Sequence, residues 1–321
     1  MPESAIRAES TAKMKKLLAA AAVAAMSLQI FASGAKSRAE ALHEKLYSAD
    51  RNYVFVTMHR GDWRHAPENS VDAIKGAIAM GADIVELDVA LTKDGHYVLL
   101  HDGSLDRVSN GKGKSTKYTL EEIRKFRLKG VDGKTITGYK ILTLEEAFAL
   151  TRGKILVNID KFGRDPKGIA EFVKKHGMEK EVILKERFSP EKLERLVGPE
   201  IWKDMVARRL TYMPIIWINK EQKLFKEWEN SELKPVAYEL CIKKEKPAGV
   251  LKKLASKTGK GGARIWINTL WDELCAGRTD ERGYKGDTEG SWGWWLEKGA
   301  TMIQTDRPEE LLKYLKGKGR R

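Results

Sequence analysis

The stretch at residues 53–70 reads YVFVTMHRGDWRHAPENS. Its first six residues are apolar, aromatic or β-branched, which indicates a buried strand. The segment PENS at 67–70 predicts a turn and a helix cap, followed by a helix over 70–80. Between strand and helix lie two histidines and two arginines, far more titratable chemistry than such a connection requires. The stretch therefore predicts both a strand–helix unit and one wall of a ligand site.

The strand–helix unit repeats along the chain. Apolar runs that fit buried parallel strands occur near residues 53–58, 84–91, 154–160, 181–186, 211–218, 235–242, 263–270 and 301–306. Helices are predicted at 70–80, 166–176, 190–196, 221–229, 248–257, 292–298 and 308–315. Eight alternations within residues 50–318 predict an α/β fold, a (β/α)8 TIM barrel. An open doubly wound sheet is the alternative, but no glycine-rich dinucleotide fingerprint follows the first strand.

One strand-like segment, residues 97–101, breaks the alternation because it follows the strand at 84–91 too closely for a helix to intervene. The Asp94-Gly95 pair between them is a two-residue hairpin signal, so the two strands should run antiparallel. That turn predicts that Asp88 faces His101, with Glu86 on the same face as Asp88. A solvated surface hairpin is the alternative.

The alternation also lapses over residues 103–142, which contain glycine-rich and polar stretches around a short predicted helix at 120–126. We interpret this segment as a small, cap-like insertion after the hairpin. Long connections in compact domains commonly carry function, so the insertion is expected to border a ligand site.

Barrels of this type place their functional residues at the carboxyl ends of the strands. There the sequence offers three carboxylates, Glu86, Asp88 and Asp160, together with the amide of Asn158. Carboxylate oxygens are the ligands of hard cations, so a divalent metal, Ca²⁺ or Mg²⁺, is the predicted cofactor. All three acids are candidate ligands, and Asn158 is the alternative to Asp160.

The remaining strand-end residues suit a phosphate ester. Arg60 and Lys185 are predicted to bind phosphate oxygens, and Trp266 is predicted to contact the substrate. His59 and His101 are predicted to act as general base and general acid across a phosphodiester.

The formal net charge of +14 favours anionic partners. The lysines are scattered over predicted helices and no nucleic-acid motif is present, so a small anionic molecule is expected and a nucleic-acid partner is not. The sequence makes no prediction of oligomeric state.

Residues 1–35 have the pattern of a signal peptide. A basic segment at 14–16 precedes an alanine-rich apolar run at 17–32, and Ser33-Gly34-Ala35 follows as a small-residue cleavage site. We therefore expect export to the periplasm or the medium, cleavage near Ala35 and no stable membrane insertion afterwards. An uncleaved anchor is the alternative.

Three stretches resemble the glycerophosphodiester phosphodiesterase family: HRGDWRHAPENS at 59–70, GADIVELDVALTKDGHYVLLHDGSLDRVSNGKG at 81–113 and GATMIQTDRPEELLKYL at 299–315. The resemblance runs in order from about residue 54 to residue 315. It implies a TIM barrel in which His59 and His101 are the acid/base pair, Arg60 binds phosphate, and Glu86 and Asp88 bind a divalent metal.

The resemblance also shows a departure. The family usually has its third metal ligand in a segment similar to NIELK, whereas this chain reads NIDKF at 158–162. Asp160 would then replace a glutamate that is one methylene longer. The implied reaction is hydrolysis of a glycerophosphodiester to glycerol 3-phosphate and an alcohol. Two alternatives remain, another phosphodiesterase of the same barrel type (phospholipase-like) and a non-catalytic envelope binding barrel.

Overall fold

The computed structural model describes residues 36–245, 251 and 262–321, and the strands in these residues form one sheet. The strands are β1 Phe55–Met58, β2 Ile84–Leu91, β3 Tyr97–Leu99, β4 Leu156–Asp160, β5 Val182–Glu186, β6 Thr211–Trp217, β7 Ala237–Cys241, β8 Arg264–Asn268 and β9 Met302–Thr305. All except β3 pair in parallel from β2 through β4 to β9, and β1 pairs with both β9 and β2. The sheet therefore closes into a barrel of eight strands, as predicted.

Helices surround this barrel. They are α1 Arg38–Tyr47, α2 Val71–Ala79, α3 Leu120–Ile123, α4 Leu144–Thr151, α5 Pro166–Lys175, α6 Pro190–Val197, α7 Pro199–Val206, α8 Gln222–Asn230, α9 Asp272–Cys275, α10 Asp280–Tyr284, α11 Trp294–Glu297 and α12 Pro308–Gly317. The helix predicted at 248–257 and the leader predicted at 1–35 lie outside the described residues, apart from Leu251. None of the helices in the described ranges combines the length and apolar character needed to cross a bilayer.

The start of α2 shows how the sequence ends the first connection. The Ser70 hydroxyl accepts a hydrogen bond from the backbone amide of Ala73 at 3.2 Å, which satisfies one of the free amides at the helix start. Gly61 has φ +74°, and a Cβ there would lie 2.7 Å from the backbone of Ala73. Only glycine allows the loop after β1 to pass this close to α2.

The hairpin between β2 and β3 is antiparallel, but its predicted register is wrong by one residue. Val89 pairs with Leu99, and the amide of Leu100 donates to the carbonyl of Asp88 at 3.0 Å, so Asp88 faces Leu100 rather than His101. The turn contains three residues, 93–95, with Gly95 at φ +78°. A three-residue turn with a left-handed glycine shifts the pairing by one position relative to a two-residue turn.

Residues 103–142 form the insertion and have a small apolar core of their own. Leu105, Ile123, Leu128 and Ile141 pack against the hairpin side chains Ala90, Val98 and Leu100. These hydrophobic contacts hold the insertion against the hairpin and so fix its position beside the barrel mouth.

The amino-terminal end of the barrel is closed by α1, whose Ala39, Leu42 and Leu46 pack against inward-facing residues of the strands. Trp266 belongs to this cluster and is fully buried, at 0% exposure. The predicted substrate contact of Trp266 is therefore wrong, because its side chain points into the packed interior instead of the cleft. The opposite, carboxyl end of the barrel carries the polar site.

Candidate active site

Three carboxylates meet at the carboxyl end of the barrel. The register of β2 and β4 pairs Asp88 with Asp160, and Glu86 lies one inward position below Asp88. One oxygen from each of the three acids lies within 4.8 Å of the others. In the described part of the chain, Asp88 Oδ1 is buried without a hydrogen-bond partner. An unpartnered carboxylate oxygen among three acids suits a hard divalent cation.

The electrostatics of this acidic cluster differ from one acid to the next. Burial and the nearby Asp88 carboxylate raise the pKa of Glu86. Burial also raises the pKa of Asp160, but the charges of Lys185 and Lys161 outweigh it and hold that pKa below its usual range. Burial and like charges therefore disfavour ionised Glu86, and a bound cation would relieve this cost.

Three residues at the rim of the cluster have left-handed backbones although they are not glycine. Arg60, Asn69 and Lys161 have φ values of 55°, 58° and 62°. Such conformations cost energy and are found where the surrounding structure holds them for a purpose. The turn at Arg60 brings its backbone amide to Glu86 Oε2 at 2.9 Å, and Asn69 Nδ2 donates to Asp88 Oδ2 at 3.0 Å.

His59 follows β1 and is 7% exposed. Its Nδ1 lies 2.9 Å from Asp306 Oδ1, just beyond β9, which leaves Nε2 free of this contact. Burial lowers the pKa of His59, but the hydrogen bond with Asp306 and the charge of Glu86 outweigh burial and raise it overall. A carboxylate on Nδ1 that fixes the ring and favours its protonated form is the arrangement used by catalytic histidines.

His101 follows β3 and has a similar partner, since its Nδ1 lies 2.6 Å from Asp102 Oδ1. Asp102 in turn accepts a hydrogen bond from Arg107 Nε at 2.7 Å. The same guanidinium contacts Glu68, which accepts from Arg60 Nη1 at 3.2 Å. This chain of contacts links His101 to Arg60, and Arg60 Nε lies 3.5 Å from Asp88 Oδ2. The predicted site residues His59, His101, Arg60, Glu86, Asp88 and Asp160 thus belong to one connected region.

Two lysines balance the charge of the acids. Lys161 Nζ donates to Asp160 Oδ2 at 2.8 Å. Lys185 is 3% exposed and its Nζ lies 3.1 Å from Glu239 Oε2. This burial differs from the predicted role of Lys185 as an accessible phosphate ligand, because the ammonium serves as a buried countercharge for Glu239, Asp160 and Glu86. Lys161, which the sequence analysis did not select, is the lysine at the rim.

A small groove runs between the loop after β1 and the insertion. Its volume is about 180 Å³, and it is bordered by Trp63, Pro67, Glu68, Arg107, Val131 and neighbouring residues. Glu68 and Arg107 belong both to this groove and to the contacts that link Arg60 with His101. The insertion therefore lies beside the candidate site and shares residues with it.

Four further residues contact the predicted site residues but were not predicted from the sequence. They are Asn69, which lies in the predicted turn, and Arg107, Lys161 and Asp306. Lys161 and Asp306 each follow directly after the last residue of a strand, and this position is the sequence signal that indicates them. Arg107 is different, since its contacts with Glu68 and Asp102 depend on the packing of the insertion.

The closed barrel and its polar carboxyl end place this chain among the (β/α)8-barrel proteins with a strand-end functional site. Two family models match parts of the chain. Residues 59–204 match the glycerophosphoryl diester phosphodiesterase family, the family that the sequence motifs resemble. Residues 212–315 match a domain of unknown function. In the structure that region is not a separate unit, because its strands β6 to β9 pair with β5 and β1 to close the barrel.

Two similar proteins carry the name glycerophosphodiester phosphodiesterase. The chain is 47% identical over 108 residues to a glycerophosphodiester phosphodiesterase of Caldanaerobacter subterraneus, covering 33% of this chain and 44% of that protein. It is 43% identical over 76 residues to human glycerophosphodiester phosphodiesterase 1, covering 24% of this chain and 23% of that protein. The matched stretches thus span less than half the length of these two relatives.

Solved structures share the fold over most of the chain. A glycerophosphoryl diester phosphodiesterase from Parabacteroides distasonis has a TM-score of 0.67 at 24% identity, covering 86% of this chain and 92% of that one. An Oleispira antarctica phosphodiesterase in complex with the product sn-glycerol-3-phosphate has a TM-score of 0.60 at 18% identity, covering 84% of this chain and 99% of that one. At these identities the likeness concerns the fold.

Proposed function

We propose that this protein hydrolyses glycerophosphodiesters to glycerol 3-phosphate and an alcohol, with two histidines as general acid and base and a divalent cation at the acidic cluster. One observation carries the proposal. Two histidines, each with Nδ1 against a carboxylate, belong to the same connected region as three clustered acids. This arrangement provides proton transfer and anion stabilisation at one place. The match of residues 59–204 to the family and the product bound to the Oleispira protein support the choice of substrate.

The acidic cluster fits Ca²⁺ or Mg²⁺. Glu86, Asp88 and Asp160 would hold the ion, with Asn158 as a neighbour whose Oδ1 is also buried and unpartnered within the described residues. When bound, the ion supplies Lewis-acid stabilisation of negative charge on a non-bridging phosphate oxygen. We propose Asp160 as the third ligand because its carboxylate lies in register with Asp88.

The two histidines then divide the proton transfers. One removes a proton from the attacking oxygen as that oxygen bonds to phosphorus. The other gives its proton to the leaving alcohol oxygen as the bond from phosphorus to that oxygen breaks. If the attacking oxygen is a hydroxyl of the glycerol, a cyclic phosphodiester forms first and water opens it. If the attacking oxygen is water, glycerol 3-phosphate forms directly.

The cations at the rim bind the phosphate. Arg60 has a side chain that is 14% exposed and reaches both Glu68 and Asp88, so its guanidinium is held beside the acidic cluster. Lys161, directly after β4, presents a second positive charge beside Asp160. A planar guanidinium contacts two phosphate oxygens at once, whereas an ammonium acts as a point charge.

The test is a substrate panel. Purified protein is incubated with glycerophosphodiesters carrying choline, ethanolamine or inositol, with added Ca²⁺ or Mg²⁺, and glycerol 3-phosphate is quantified. Release of glycerol 3-phosphate from at least one diester supports the proposal. Absence of turnover on every diester, by protein shown to bind the ion, would contradict it and direct attention to another phosphodiester.

We also propose that the protein is exported and loses its leader near Ala35, on the basis of the basic, apolar and small-residue segments within residues 14–35. Intact-mass measurement of protein recovered from the periplasm or medium checks this. A full-length product found only inside the cell would contradict it.

A further inference from the structure

Asp280 is a buried acid that does not belong to the cluster of Glu86, Asp88 and Asp160. It begins α10, is 2% exposed, and lies in the long connection between β8 and β9. Its Oδ1 accepts hydrogen bonds from Thr269 Oγ1 at 2.7 Å, Trp292 Nε1 at 2.8 Å and Thr305 Oγ1 at 2.9 Å. Its Oδ2 accepts from the backbone amide of Asp306 at 2.8 Å. Both carboxylate oxygens are therefore occupied by protein donors.

These donors come from the ends of two paired strands and from the connection between them. Thr269 follows β8, whereas Thr305 and Asp306 lie at the end of β9. Trp292 lies in a π-helical turn, Glu289–Gly293, directly before α11. A π turn is rare and is often found at functional positions, and here it directs the indole N–H at Asp280. The Asp280 carboxylate thus links the ends of β8 and β9 to the connection between these strands by hydrogen bonds.

Asp306, which contacts Asp280 through its backbone amide, is also the partner of His59. Asp306 Oδ1 is 2.9 Å from His59 Nδ1 and accepts from Trp63 Nε1 at 2.6 Å, while its backbone amide is bonded to Asp280. A buried carboxylate with four donors is costly to rearrange, since any lost bond leaves a polar group unsatisfied. The position of the Asp306 carboxylate, and with it the orientation of the His59 ring, depends on this connection.

We infer that Asp280 is a positioning residue for His59: it acts through Asp306 to hold the imidazole in its catalytic orientation. This inference rests on the proposed acid/base role of His59. Asp280 and Asp306 both lie within residues 212–315, the region that matches a domain of unknown function. The inference therefore assigns this region a role in the reaction. Within the connection between β8 and β9, Asp280 is then the residue that acts on His59 through Asp306.

The test is the substitution Asp280→Asn. An amide has one acceptor oxygen and one donor nitrogen, so it cannot accept from Asp306 on one side and from three donors on the other. The pKa and tautomer of His59 are followed by NMR of the imidazole nitrogens, beside kcat and KM. We expect Asp280→Asn to lower the His59 pKa and to reduce kcat by at least about tenfold, with KM changed less than about threefold.

Ser291→Ala is the matched control, because Ser291 is buried in the same connection and donates to the carbonyl of Thr279 at 2.6 Å without contacting Asp280. It should leave the His59 pKa and kcat unchanged. The double variant Asp280→Asn/Asp306→Asn should show a His59 pKa no lower than that of Asp306→Asn alone, since Asp280 acts through Asp306. Additive decreases would overturn the inference, and so would an unchanged His59 pKa in Asp280→Asn.

If circular dichroism shows that Asp280→Asn does not fold, Trp292→Phe takes its place, because it removes one donor to Asp280 and keeps an aromatic ring. The same direction of change, at smaller size, is expected, and an unchanged His59 pKa would overturn the inference. The NMR readout also separates the two proposals. If Asp280→Asn lowers the His59 pKa but the wild type hydrolyses no glycerophosphodiester, the positioning role is supported and the proposed function is contradicted.

Discussion

Arg107 joins the two walls of the site, because its Nη1 and Nη2 lie 2.7 and 2.8 Å from the two oxygens of Glu68. Glu68 is the partner of Arg60, and the same guanidinium donates through Nε to Asp102, the partner of His101. One side chain from the insertion therefore holds both a phosphate-binding candidate and a catalytic candidate through their carboxylate partners. Bidentate geometry of this kind is specific to arginine.

Replacing Arg107 with glutamine should accordingly reduce kcat by about tenfold or more, because Glu68 and Asp102 both lose their shared cation. Metal binding measured by calorimetry should change little, since Arg107 does not contact the three acids. Arg124→Gln is the control, because Arg124 pairs with Glu146 in an ion pair that includes none of the site residues. Equal activity of the two variants would contradict the role given to Arg107.

Replacing Lys161 with methionine should strengthen binding of Ca²⁺ or Mg²⁺. The ammonium of Lys161 contacts Asp160 Oδ2 and so competes with a cation for that carboxylate. Removing one nearby positive charge should lower the dissociation constant about three- to tenfold, measured by calorimetry. Lys167→Met, an exposed lysine on α5, controls for the change in net charge. Weaker metal binding by Lys161→Met would show that the lysine supports the ion instead.

Replacing Lys185 with methionine should destabilise the fold by about 3–5 kcal/mol, because Glu239 would be left as a buried charge without its partner. Unfolding by urea measures the effect. The double variant Lys185→Met/Glu239→Gln should recover a large part of the loss, since it removes the uncompensated charge. A loss below about 1 kcal/mol for the single variant would contradict the countercharge role.

The pair of His59 and Asp306 predicts a pH dependence of stability. The pKa of His59 is raised in the folded state, so its protonated form stabilises the fold. That contribution is complete below the ordinary value of 6.5 and is lost as pH rises through the raised pKa. The difference in unfolding free energy between the wild type and Asp306→Asn should therefore shrink as the pH rises from 6.5 through the raised pKa of His59. A difference that grows over this range would contradict the pairing.

The barrel was predictable because each strand is a short apolar run followed by a helix signal, and this pattern needs no knowledge of distant contacts. The register of the hairpin was not predictable, because the pair Asp94-Gly95 fits turns of two and of three residues equally well. Only the left-handed Gly95 and the Thr92 to His96 pairing select the longer turn.

The site was predictable to the extent that its residues lie at strand ends. Glu86, Asp88 and Asp160 follow from strand position and alternation, because parallel strands bring their carboxyl ends together. Trp266 and Lys185 occupy similar sequence positions but lie deeper, and depth along a strand depends on barrel stagger, which a single sequence does not reveal. Arg107 and Asp280 depend on the packing of long connections, where no periodic pattern operates.

Turnover and metal binding, measured in the same variant, separate proton transfer from binding of the cation. His59→Ala should bind Ca²⁺ or Mg²⁺ with wild-type affinity by calorimetry, yet release glycerol 3-phosphate about 10²–10⁴-fold more slowly than the wild type. Asp88→Asn should instead lose metal affinity and recover part of its activity at high metal concentration. Wild-type turnover by His59→Ala, or full wild-type activity in EDTA, would contradict acid/base catalysis beside a metal-binding acidic cluster.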